Sequence, residues 1–153
     1  MMWPSTATAL FLLFASAHAS IQSIAAPEVI KPGDAVNLTI VNNISPGQYD
    51  VALVLGFDPN SQLERNNVGI ALDYILLKSM PNGPFNQTIH IHPSMRHGPG
   101  TLRAGIFSIY GALGNIGVWV YDINITLGDA TSTKYIKGDW FNIDCLMGRG
   151  CPK

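Results

Sequence analysis

The sequence predicts an all-β protein: an immunoglobulin-like antiparallel β-sandwich of about seven strands, followed by a C-terminal tail closed by a disulfide. Three observations carry that expectation. Apolar and polar residues alternate in run after run between residues 21 and 127, which is the period of a half-buried strand. Turn signals such as Pro32-Gly33, Pro46-Gly47 and Asn82-Gly83 separate the runs, at the spacing of about 8–12 residues typical of sandwiches. Heptads, solenoid periods and an alternation of strands with helices are missing from the pattern. The chain has 153 residues, 47% of them hydrophobic and only 12% charged, enough apolar material for the core of one domain.

Residues 1–19 read as a secretory signal peptide. A short apolar run, Ala9 to Phe14, precedes the small residues Ala15, Ser16, Ala17, His18 and Ala19, the order that signal peptidase recognises. Cleavage after Ala19 leaves Ser20 first, and the overlapping Ala15-Ser16-Ala17 site would leave His18 first. The run is too short to span a bilayer, and no later stretch of about 18 apolar residues follows.

The sandwich is expected over residues 20–128. Ile21 to Ala26 forms a short strand ended by Pro27, and Lys31 to Asp34 forms a turn. In the strand Ala35 to Ile44, Val36, Leu38 and Ile40 face inward, while Asn37 and Thr39 face out. Tyr49 to Phe57 follows, with Val51, Leu53 and Leu55 on one face. Asp58 to Asn67 is a polar loop. Val68 to Lys78 reads as a strand, although Ala-Leu-Asp-Tyr-Ile-Leu-Leu also suits a helical turn. Phe85 to His92 places Thr88, His90 and His92 on one side. Thr101 to Tyr110 points Leu102, Ala104, Ile106 and Ser108 to one face. Ile116 to Leu127 offers Val118, Val120, Ile123 and Ile125, and this change of parity predicts a bulge near Tyr121-Asp122. Residues 129–153, poor in apolar side chains, read as a surface-packed tail.

Asn37-Leu38-Thr39, Asn43-Ile44-Ser45, Asn86-Gln87-Thr88 and Asn124-Ile125-Thr126 are four acceptor triplets for N-glycosylation, as in a secreted protein. The two cysteines, Cys145 and Cys151, are expected to pair in an oxidising compartment. Their loop is short, so the bridge would contribute on the order of 2 kcal/mol and shape the tail. Nine basic and ten acidic residues give a net charge of −1 with no basic run. Neither nucleic acid nor an anionic membrane surface is therefore an expected partner.

The segments Ile21-Gln22-Ser23-Ile24-Ala25-Ala26-Pro27, Ile30-Lys31-Pro32-Gly33-Asp34, Leu102-Arg103-Ala104, and Tyr121 through Asp129 together resemble the Nis-type necrosis-inducing secreted effectors of filamentous fungi. The resemblance covers Ser20 to Asp129. It implies a secreted virulence effector that binds receptor-associated kinases of the plant host and suppresses pattern-triggered immunity, in some cases with host cell death. Such a target would place it in the host cytoplasm after uptake. The family has no established catalytic motif, so the chain is read as a non-enzyme without cofactor, and no catalytic residue is carried over.

Read on their own chemistry, a few constellations remain. His90 and His92 share a strand face and His97 follows, which can bind a metal but reads more simply as exposed imidazoles. A mature His18 terminus would allow a copper histidine brace, as in lytic polysaccharide monooxygenases, against which stands the better-placed cut at Ser20. A carbohydrate-active sandwich or a cell-wall adhesion module are further alternatives. Lys137-Gly138-Asp139-Trp140 matches an integrin-recognition tetrapeptide but lacks a loop closed around it. Hydrolase signatures are absent. Partner contact is assigned to the aromatics Tyr110, Tyr121, Trp140 and Phe141, because large aromatics dominate interface energies.

Overall fold

The computed structural model describes residues 19–64, 66–77, 80 and 82–142. Ten strands run along the chain: β1 (Ala19–Pro27), β2 (Val29–Ile30), β3 (Ala35–Ile44), β4 (Gln48–Pro59), β5 (Ile70–Leu76), β6 (Gly83–His90), β7 (Gly98–Tyr110), β8 (Asn115–Leu127), β9 (Tyr135–Lys137) and β10 (Asp139–Asn142). They form two sheets. One has the order β6-β3-β1-β9, the other β10-β8-β7-β4-β5 with β2 beside β8. Inward side chains of both sheets meet in one core, with Ile24, Leu38 and Ile40 from the first and Leu53, Leu55, Leu102, Ile106 and Ile123 from the second. This is the sandwich that the alternation predicts, and the ambiguous segment after residue 68 is a strand. One pairing departs from the antiparallel rule: β2 runs parallel to β8, Val29 opposite Thr126.

Three details of register differ from the expectation. The pairing of β7 with β8 runs without interruption from Gly98↔Leu127 to Tyr110↔Asn115, so no bulge interrupts it at Tyr121-Asp122. Instead the inward row of β8 continues through Ile123 and Tyr121 to Trp119, which packs against the core, and Val118 and Val120 point outward. A bulge lies in β4, where the register shifts between Asp50 and Ala52. It throws Val51 outward, and Val51 is exposed whereas Leu53 and Leu55 are fully buried. A second bulge sits in β1 between Ile21 and Ser23.

Residues 135–142, which lie within the expected tail, add a strand to each sheet: β9 pairs with β1 and β10 with β8. Gly138 is the crossing point. Its N–H donates to the Ile24 carbonyl at 2.9 Å, and a Cβ there would stand 2.6 Å from the Ile123 side chain. The integrin-like tetrapeptide is thus a sheet-to-sheet step and not a presented loop. Cys145 and Cys151 lie outside the described residues, as does His18.

The loop after β4 covers one end of the outer face of the larger sheet. Arg103, buried on β7 and pointing outward, holds it there. Its guanidinium donates to Asp122 Oδ1 at 3.0 Å, to the carbonyls of Leu63, Glu64 and Asn67 at 2.7–3.1 Å, and lies 3.4 Å from buried Asp58. Gly56 is required beneath this loop, since a Cβ would meet the Val68 carbonyl oxygen at 2.2 Å.

Candidate functional site

Two features stand out, one inside the sandwich and one on its surface. The first is a pocket of about 150 Å³ between the sheets, at the end where β1 begins. The bulge at Val51 creates it. With one extra residue in β4, Asp50 turns toward the interior, where it is 5% exposed. Bulges commonly re-aim a side chain in this way. The carboxylate is met by neutral donors: the Ile21 N–H at 2.6 Å on Oδ2, the Ser108 hydroxyl at 2.5 Å on Oδ1, and the Gln48 amide at 3.4 Å. Gln48 also donates to the Ser20 hydroxyl at 3.1 Å. Among the described residues no cation pairs with Asp50.

Aromatic rings form the remaining walls. Tyr121 donates its hydroxyl to the Ile21 carbonyl at 3.0 Å. Burial first, and then the neighbouring Asp50 carboxylate, push its phenol up to about 12. Trp119 and Trp140 meet edge to face with centroids 5.2 Å apart, a favourable arrangement of their quadrupoles. Trp140, on edge strand β10, is 60% exposed at the mouth. The Trp119 Nε1 is buried with no hydrogen-bond partner among the described residues.

The second feature is the rest of the outer face of the larger sheet. Register aligns its outward residues in rows. Leu76, Ala52, Phe107 and Val118 form one row, and Tyr74, Val54, Gly105 and Val120 the next. Tyr49, Ile109 and Ile116 make a third. Every side chain in these rows is apolar or a tyrosine, and Tyr74, Leu76 and Ile116 are 72%, 65% and 71% exposed. Gly105 and Val120 are buried, with Val68 of the covering loop against Gly105, and the remaining positions are at least partly bare, where the outward positions of a sheet facing only water are ordinarily polar.

Of the aromatics assigned to partner contact, the structure brings Tyr121 and Trp140 together at the pocket. Tyr121 is buried, so it is available to a group entering the pocket and not to a flat surface; the unbroken register of β8 is the reason. Tyr110 lies across Gly117, where a Cβ would stand 2.7 Å from its ring. Phe141 is half-buried opposite Val120. Sequence reasoning missed Asp50, Ser108 and Trp119 as a group, and also the outward row of Tyr74, Leu76 and Phe107. Part of the sequence signal for the row was present: Tyr74 and Leu76 stand at alternate positions.

The histidines do not converge. His90 and His92 border a shallow groove with Gly33. His92 also lines a larger one, about 600 Å³, with Arg96 and His97 over Phe57 and Ile70. His92 Nδ1 lies 2.7 Å from the Ser94 hydroxyl, and His97 sits 3.4 Å from Asp129. Among the described residues no three His, Cys, Asp or Glu side chains gather as metal ligands. The acceptor asparagines Asn37, Asn43 and Asn86 are exposed on β3 and β6, and Asn124 is exposed on β8.

A sequence model of the Nis1 family matches residues 17–126. The chain is 30% identical over 128 residues to necrosis-inducing secreted protein 1 of Colletotrichum higginsianum, covering 81% of this chain and 89% of that one. It is 26% identical over 145 residues to the protein of the same name from Colletotrichum orbiculare, covering 92% and 90%. Among solved structures it is similar to superoxide reductase (neelaredoxin) from Ignicoccus hospitalis, with 13% identity, 72% and 80% coverage and a TM-score of 0.43.

Proposed function

The chain belongs to the Nis1 family, and we propose on that premise that it is a secreted effector that acts on plant tissue by binding a host protein. The partner is a receptor-associated kinase of the immune system, and binding suppresses pattern-triggered immunity and leads to necrosis. The observation that carries this reading is the match of nearly the whole domain to two relatives named necrosis-inducing secreted proteins. The exposed apolar side chains Tyr74, Leu76 and Phe107 support it, since they offer a surface for a protein. On this reading the protein acts by association.

The experiment is capture from plant extract by the immobilised, processed protein. Immune receptor-associated kinases should be recovered by the natural sequence and lost with Leu76→Asp or Phe107→Asp, both at exposed positions. Recovery of no such kinase by a protein with intact circular dichroism removes the kinase as partner. Infiltration of leaves with the same proteins reads out necrosis in parallel.

A further inference from the structure

We propose that the pocket around Asp50 is a binding site for a single primary ammonium group. The argument begins with cost. A carboxylate taken out of water needs compensation by charge as well as by hydrogen bonds. Asp50 is 5% exposed and, among the described residues, meets neutral donors only, from Ile21, Ser108 and Gln48. The chain departs from regular pairing at Val51 to bring this carboxylate inside. Without the bulge, the outward side of β4 would receive it and water would solvate it.

The walls suit the same group. Trp119, Trp140 and Tyr121 line the pocket with the carboxylate, and aromatic faces attract ammonium ions, most strongly when water is excluded. About 150 Å³ admits an ammonium on a short alkyl stem. The second bulge, at Gln22, lies at the mouth and leaves that residue exposed.

This chemistry has two sources. One is the chain itself. If the signal peptide is cut after Ala19, the new α-ammonium belongs to Ser20, a buried residue that lines the pocket and directly precedes the N–H bound to Asp50. The other is a lysine side chain of a bound partner, reaching past the exposed Trp140.

The test uses two purified forms, one beginning at Ser20 and one retaining Ala17-His18-Ala19 ahead of it. The α-amine is titrated by NMR. Indole resonances are followed during addition of n-butylammonium chloride, with sodium chloride at equal ionic strength as control. If the chain supplies the group, the Ser20 amine titrates about one unit above its ordinary 7.7–8.0, and n-butylammonium moves the indole signals of the extended form only. If a partner supplies it, n-butylammonium moves them in both forms. In either case Asp50→Asn abolishes the effect and Trp140→Ala, a change at the exposed mouth, weakens n-butylammonium binding severalfold with folding retained. An unshifted amine together with indole signals that respond no more to n-butylammonium than to sodium overturns the proposal. The family reading is untouched by that result, because kinase capture is measured separately.

Discussion

At the scale of single residues, the Tyr121–Asp50 pair is the most informative. The Tyr121 phenol is raised to about 12 by burial and by the Asp50 charge, against about 10 in an unfolded chain. Between these values the unfolded chain gives up the proton and the folded chain keeps it, so the folded state binds more protons and stability falls as pH rises. The contribution is fully present below pH 10. It is lost by about pH 12 and amounts to on the order of 2 kcal/mol. Urea unfolding between pH 9 and 12 should show that loss, and Tyr121→Phe should flatten it while costing about 1 kcal/mol at neutral pH for the hydrogen bond to the Ile21 carbonyl. An equal slope in Tyr121→Phe would assign the alkaline instability to other groups.

Among elements, the bulges and the covering loop decide what the sequence could disclose. The core was legible because Leu38, Ile40, Leu53 and Leu102 obey period 2, and their partners across the sandwich do the same. Position 51 was not. Val51 continues the apolar parity of Leu53 and Leu55, and only a register shift against β7 reverses it. Likewise the parity change at Tyr121-Asp122 was readable as a bulge, yet Trp119 and Tyr121 continue the inward row and the valines take the outer face. A local pattern gives alternation but not which neighbouring strand breaks it. The tail strands β9 and β10 are three and four residues long, too short for a periodic signal, and pairing with β1 and β8 makes them strands.

The loop after β4 adds a second prediction at this scale. Arg103 joins it to the sheet through three carbonyls and two carboxylates. Arg103→Met would leave Asp58 buried without its cation, which costs about 3–5 kcal/mol. Arg103→Lys cannot reproduce the planar fork and should recover less than half of that. Both should open the loop to thermolysin faster than in the natural protein, and unfolding midpoints with timed digestion measure the two effects together.

For the whole molecule, the two outer faces are chemically opposite. The smaller sheet carries Asn37, Asn43 and Asn86 outward on β3 and β6, with Thr39 and Thr88 between them, and Thr88 donates to Asn37 at 2.7 Å. Glycans on these triplets would extend from that side. The larger sheet carries the apolar rows, and its one acceptor site, Asn124, lies four residues along β8 from Val120 and six from Val118, about 13 and 20 Å away at the rise of a strand, beside Thr101 at the end that the loop covers. Sugars on these triplets would thus be kept largely apart from the apolar rows, as the proposed protein contact requires. Placing a glycan on the rows tests this directly. Tyr74→Asn with Leu76→Thr creates an acceptor triplet on two outward positions of β5, while Tyr74→Asn with Leu76→Ala removes the same side chains without creating one. Expressed in a glycosylating host, the first should lose kinase capture altogether and the second should weaken it by about tenfold, a loss of about 1.4 kcal/mol. Both changes lie on exposed positions, so unfolding midpoints should shift by less than about 1 kcal/mol. Enzymatic removal of any glycans on the natural triplets should leave capture unchanged. If the glycan on β5 has no effect while trimming the natural ones does, the partner contacts the smaller sheet, and the apolar rows serve another purpose.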